Sequence, residues 1–302
     1  MQTESLNRLS QGCPADAQTQ LVDQVHLPGI VGLWAAVCGV LAAVQWPPQS
    51  ADLIRFLFVV ILVTLGWGTV WQLVTTTDWF GVLANSRPYS PATPGRGLPY
   101  TQPGSPAGRL GRRLGLFAGW WRETFWPSLG SPARGLLVAA ALIGASAAIL
   151  PARLGPLHVA FAALVGLAIV RQRRSKGSPG GEALARVCLG WLAGYLAFGE
   201  MQWPSPALAL CFALCAWGAL RIGSRQTAGR SGLWLLNGGL VLGLVVMVAA
   251  RQPLAAGGLG LALFGQVALQ LPLAQGGDRR GVVRHTWPWL MAAMAVAAVA
   301  IR

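Results

Sequence analysis

Residues 232–250 read GLWLLNGGLVLGLVVMVAA, nineteen positions without an ionisable side chain. At about 1.5 Å per residue a helix of that length covers about 28 Å, close to the thickness of a bilayer's hydrocarbon core. The run is bracketed by cations. Arg221, Arg225 and Arg230 precede it and Arg251 follows it directly. A long apolar helix with cations massed at one end reads as a membrane span with a cytoplasmic and a non-cytoplasmic end.

Working outward, eight further stretches share this character: 28–46, 53–76, 135–151, 155–171, 184–202, 205–221, 254–273 and 285–301. The expected fold is therefore all-α, a polytopic membrane protein of about nine transmembrane helices. Numbering the connections gives an internal test. With the N-terminus cytoplasmic and the C-terminus outside, the inner segments hold 19 of the 23 cations and the outer ones hold Arg55, Arg153, Arg251 and Arg302. One missed or invented helix would mix the two classes from that point onward.

Composition agrees. Of 302 residues, 54% are hydrophobic and 11% charged, about half the charged share of a soluble domain. The net charge of +14 sits in short clusters between apolar runs, so topology accounts for it and no nucleic-acid partner is expected. Lys176 is the sole lysine. Four of the five cysteines (Cys38, Cys188, Cys211 and Cys215) lie within apolar runs and read as packing residues. Residues 1–26 form a polar segment without the apolar core of a signal peptide, so the first span is expected to act as its own insertion signal. Residues 27–302 then form a single transmembrane domain with one long cytoplasmic loop, 77–133.

Within that loop, 86–108 is rich in Pro, Gly and Ser and reads as irregular chain. Residues 110–126 interleave Leu114, Phe117, Trp120, Trp121, Phe125 and Trp126 with Arg112, Arg113 and Arg122. They read either as an interfacial helix on the leaflet or as the aromatic start of the next span. Gly190 with Gly194, and Gly239 with Gly243, are small-residue pairs that allow helices to approach closely or leave room for a flat ligand.

The spans carry almost no charge. The nine acids are Glu4, Asp16, Asp23, Asp52, Asp78, Glu123, Glu182, Glu200 and Asp278, none mid-span, which counts against an ion-coupled pump. His26, His158 and His285 fall near helix ends, and no hydrolase, zinc-protease or phosphate-loop motif is present.

Four short stretches resemble the UbiA superfamily of intramembrane prenyltransferases. They are Leu27-Pro28-Gly29-Ile30-Val31-Gly32-Leu33-Trp34 near the start; Thr77-Asp78-Trp79-Phe80-Gly81 at the exit of the second span; Arg87-Pro88; and Leu189–Gly194 with Trp203-Pro204 and Ala216-Trp217-Gly218. The nine-helix layout resembles that family too, and Asp78-Trp79-Phe80 resembles its chlorophyll synthase branch. The resemblance implies two Asp-rich motifs, after helices 2 and 6, that hold Mg²⁺ against a prenyl diphosphate. Here Thr77, Gly81 and Asn85 stand where acids or an Asn are expected, and 222–230 contains no acid. Several carboxylates are needed to hold Mg²⁺ on a diphosphate, so one cannot assemble the site.

The expected function is therefore a UbiA-like protein that binds an isoprenoid, quinone or pigment lipid in an accessory, non-catalytic role, within a membrane-protein complex. A divergent active prenyltransferase, acting on an aromatic or tetrapyrrole acceptor with Mg²⁺ as cofactor and Asp78 as catalytic residue, is the alternative. A small-molecule transporter is a second. The candidate ligand-binding residues are Asp78, Asn85, Arg87, Arg221, Arg225 and Arg230, with no protein metal site. The arginines can bind a phosphate directly, although topology alone also accounts for them. The expected location is a bacterial inner or thylakoid-type membrane.

Overall fold

A computed structural model describes residues 15–45, 47, 49–79, 81, 105–172, 178–223, 229–274 and 279–302. Among them every regular element is helical. They form nine rods: α1 (Ala15–Ala43), α2 (Ser50–Thr76), α3 (Pro106–Ile149), α4 (Gly155–Gln172), α5 (179–198), α6 (Pro204–Gly223), α7 (Gly229–Ala249), α8 (Pro253–Ala274) and α9 (Arg279–Ala300). Seven helices among the described residues are long and apolar enough to cross a membrane: those of α2, α3, α4 and α6 to α9. The described apolar part of α1, Gly29–Ala43, is shorter. The chain is thus an all-helical integral membrane protein by length and composition.

Close approaches between rods fix their directions. Gly32 lies against Arg186 and Gly190, Gly39 against Trp191 and Tyr195, and Gly199 against Ala43, so α1 and α5 run parallel. Gly190 meets Val63 and Gly181 meets Trp71, so α2 opposes α5. Gly66 against Ile143 and Gly135 against Leu73 set α3 antiparallel to α2. Arg153 Nε donates to the Leu196 carbonyl near the start of α4, whose later residues face 184–189, so α4 opposes α5. Gly180 meets Trp217 while Trp191 Nε1 donates to Ser205 Oγ at 3.0 Å, so α6 opposes α5. Gly218 with Leu236, Gly243 with Leu259, and Gly258 with Val296 carry the alternation through α7, α8 and α9. Direction therefore reverses at every connection, and the starts of all odd rods share one face.

The α1–α5 pair forms the centre. A side chain on Gly39 would collide with the Trp191 carbonyl, and one on Gly194 with the Ala36 carbonyl. The two backbones touch because neither carries a side chain there. Without a hydrophobic force between helices in lipid, such close van der Waals packing is the main source of cohesion. From Val187 through Ala197 every residue of α5 is buried, as expected for a helix apolar on all sides. Gly239 approaches the backbone of α6 at Cys211 and Cys215, whereas Gly243 approaches Leu259 of α8. Both glycines face α6 at Cys211, and Gly243 in addition admits Leu259 of α8.

Three rods contain a π turn: Leu62–Gly68 in α2, Trp121–Phe125 in α3 and Leu184–Cys188 in α5. The third rod differs from expectation. Its helix begins at Pro106, far ahead of residue 135, and 110–126 runs without a break into the span. Ser105 Oγ accepts from Gly108 N at 2.9 Å and Pro106 occupies the first position, a strong helix start. Pro132 does not end the helix. Arg134 Nε donates to the Gly130 carbonyl at 3.2 Å and its guanidinium lies 5.4 Å from the Trp126 ring, bracing the segment across the proline.

Candidate functional site

An apolar groove of about 360 Å³ opens between α4 and α5. Ala160, Ala163, Leu164 and Leu167 form one wall; Leu184, Cys188 and Leu189 form the other. The π turn at 184–188 helps to set the second wall. Its i→i+5 bonding admits an extra residue into the turn, which re-aims side chains relative to a regular helix.

The start of α5, just ahead of Leu184, carries a group of polar side chains. Ser178 Oγ accepts from Gly181 N at 3.3 Å, and Pro179 opens the helix. Glu182 follows in the first turn, where the helix dipole favours an anion. Its Oε1 lies 3.2 Å from Arg186 Nε. Glu182 sits ahead of the apolar run that starts at Leu184. Burial pushes its carboxyl above the ordinary carboxylate range, and the Arg186 charge draws it part of the way back. Gly29 and Gly32 of α1 lie against Arg186, and the indoles of Trp71 and Trp217 cover Gly181 and Gly180.

The residues expected to bind ligand are distributed around this face. Asp78 follows the end of α2 and is exposed. Its Oδ1 accepts from Gly81 N at 2.8 Å, so the carboxylate closes its own turn. Trp79 Nε1 donates to the Leu73 carbonyl at 3.1 Å and ties that turn to α2. Arg221 lies in the last turn of α6, its guanidinium 6.0 Å from the Trp217 ring. Arg230 is exposed at the start of α7. Asp78, Arg221 and Arg230 therefore share the face on which α5 begins. Asn85, Arg87 and Arg225 lie outside the described residues. Among the described residues no three His, Cys, Asp or Glu side chains come together in a way that would hold a metal ion.

Two polar constellations inside the bundle escape a reading based on charge. Asn237 of α7 and Gln270 of α8 exchange a pair of amide hydrogen bonds, 2.9 and 2.8 Å long. One turn away Gln266 Nε2 donates to Thr286 Oγ1 of α9 at 2.8 Å, and that hydroxyl donates to the Val282 carbonyl at 2.9 Å. Asn237 and Gln270 answer each other and Gln266 is answered by a hydroxyl, so the seam locks α7, α8 and α9 together. The signal was present in the sequence as Gln266 and Gln270, one turn apart in an apolar run.

The second constellation lies where α2 meets α4. Trp67, in the π turn, stacks on Phe161 at 5.2 Å and meets His158 edge-on at 5.5 Å. His158 Nδ1 is 2.9 Å from the Leu154 carbonyl, which only accepts, so Nδ1 donates there. The buried Trp67 Nε1 and His158 Nε2 have no hydrogen-bond partner among the described residues.

No protein-family model, curated protein or solved structure matches the chain.

Proposed function

We propose that the protein holds an isoprenoid, quinone or pigment lipid and acts in an accessory, non-catalytic role within a membrane complex, on a layout resembling the UbiA superfamily. The groove between α4 and α5 carries this reading. Its walls offer carbon surface and the Cys188 thiol, which suits a branched lipid tail entering sideways from the bilayer. The polar end of the ligand meets the face bearing Arg221 and Arg230, with Asn85, Arg87 and Arg225 as further contacts in the connecting segments. The engagement of Asp78 with Gly81 supports a non-catalytic role, because metal-assisted departure of a diphosphate needs several free carboxylates.

On this reading all nine rods cross a bacterial inner or thylakoid-type membrane, with the N-terminus and the arginine-rich connections in the cytoplasm. The strict reversal of rod direction supports it. Reporter fusions at residues 128, 201 and 252 test the sidedness; all three at once on the unexpected side overturn it.

The lipid complement of the purified protein is the main test. Extraction followed by mass spectrometry should find an isoprenoid-tailed molecule at a fixed ratio to protein. Ala163→Trp, which fills the groove, should remove it while circular dichroism stays helical. Retention of the same lipid by the filled variant overturns the assignment. Incubation with Mg²⁺ and prenyl diphosphates addresses catalysis: turnover that disappears in Asp78→Asn overturns the accessory role.

A further inference from the structure

The first half of α3 is an extended surface with no buried residue among the described residues. The rod has 44 residues. At about 1.5 Å per residue it measures about 66 Å, roughly twice the hydrocarbon thickness. Its packing against α2 involves Gly135 and Ile143, and the first buried residue is Leu129. From Ser105 through Ser128 nothing is buried.

That exposed half has two chemistries on different sides. Leu110, Leu114, Phe117 and Trp121 recur at intervals of four, three and four, which places them on one narrow stripe of the helix. They are 59, 58, 57 and 41% exposed. Arg113 borders the stripe, Arg122 lies past its other edge, and Arg112 lies on the back. These three arginines make no ion pair among the described residues, and Glu123 is the one acid nearby.

The π turn adds a third element. Trp126 N donates to the Trp121 carbonyl, an i→i+5 bond that brings the two indoles onto the same side with ring centres 6.1 Å apart. Phe117, Ala118, Trp121, Arg122 and Trp126 line an open cleft of about 590 Å³ there. A cleft with indoles and a guanidinium suits a phosphate carried on apolar chains: Arg binds the phosphate and Trp settles at headgroup depth.

We propose that in the bilayer α3 bends between its π turn and Pro132, so that residues 106–126 lie along an anionic leaflet, with the apolar stripe sunk to the acyl boundary and Arg122 holding a lipid phosphate between Trp121 and Trp126. An anionic phospholipid surface meets both features at once. A soluble anion has no surface for the stripe, and a zwitterionic leaflet leaves the arginine charge uncompensated. Tethering to the bundle keeps this half within reach of the bilayer and removes most of the cost of association.

The full-length protein in lipid nanodiscs provides the test. A spin label at Leu114→Cys reports collision with oxygen, which is enriched in lipid, or with an aqueous nickel chelate. In discs of mixed phosphatidylcholine and phosphatidylglycerol the label should be in lipid. In phosphatidylcholine alone, at high salt, or with Arg112, Arg113 and Arg122 changed to Gln, it should shift toward water, by about fivefold in the partition ratio per arginine. A second label at Gly144→Cys, in the part of α3 beyond the exposed half, should be unaffected and shows that the bundle is intact. A water-exposed label in anionic discs overturns the proposal. So does a label equally buried in both lipids and insensitive to the arginine changes, which would leave the stripe without its electrostatic component.

Discussion

α5 and α3 illustrate two ways for a helix to live in a membrane protein. α5 is buried on all sides for eleven consecutive residues, contains four glycines and carries an ion pair in its first two turns. α3 is longer and mostly exposed, and it is apolar enough to qualify as a span where α5 is not. Lipid demands apolarity of whatever faces it. A helix shielded by its neighbours escapes that demand and can spend positions on glycine and on Glu182 and Arg186. The helix most central to the fold is therefore among the weakest by hydropathy, and burial, not apolarity, marks the core.

The contrast makes Gly194 and Gly144 a matched pair. Gly194→Leu drives a side chain into the α1 backbone and should cost more than about 3 kcal/mol, with loss of the monodisperse peak on gel filtration in detergent. A Gly194→Leu protein that stays folded breaks the comparison. Next in size is Glu182→Ala, which leaves Arg186 without its counter-charge. Removing one partner of a fully buried pair costs about 3–5 kcal/mol. These side chains retain 29 and 16% exposure, so about 1–2 kcal/mol is expected, read as a lower thermal midpoint. A double Glu182→Ala/Arg186→Leu variant should recover part of it.

Smaller effects sharpen the edges. Gln266→Leu removes the partner of Thr286 and should cost about 1 kcal/mol, a typical interhelical hydrogen bond in a membrane. Arg251, at φ 60°, closes the α7–α8 turn in the left-handed region, so Arg251→Gly should gain on the order of 1 kcal/mol in the same melting assay. Gly144 has nothing within 4 Å of the position a side chain would take. Gly144→Ala should change the midpoint by less than about 0.5 kcal/mol equivalent. A large loss there would mean that α3 packs against something beyond the described bundle.

The all-helical character and the helices long enough to cross a membrane were readable from apolar length, because that pattern answers to the bilayer, a solvent of known thickness. Gly190 and Gly194 were readable as a close-approach pair for the same reason. The start of α3 was readable only as one of two alternatives for 110–126, an interfacial helix or the aromatic start of the next span. Proline and glycine at Pro127, Gly130 and Pro132 signal a break in water, and the Arg134 hydrogen bond that carries the helix across them depends on geometry that no composition encodes. At the candidate site, Asp78 was visible as an isolated acid, but its engagement with Gly81 required the backbone turn. The groove draws its walls from Ala160–Leu167 and Leu184–Leu189, two ordinary apolar runs whose juxtaposition is purely tertiary.

The amide exchange between Asn237 and Gln270 also governs the order of events while the chain is being made. The two residues are separated by 33 positions, so α7 leaves the ribosome well before its answer exists. An amide without a partner in hydrocarbon is costly, so α7, although apolar enough to enter lipid by itself, leaves Asn237 unanswered until α8 follows. α7 and α8, joined by the short turn around Arg251, are accordingly expected to pair as a hairpin once both are made. A nascent chain arrested before Gln270 should linger at the insertion machinery, and one arrested after it should be released to the bilayer as a hairpin.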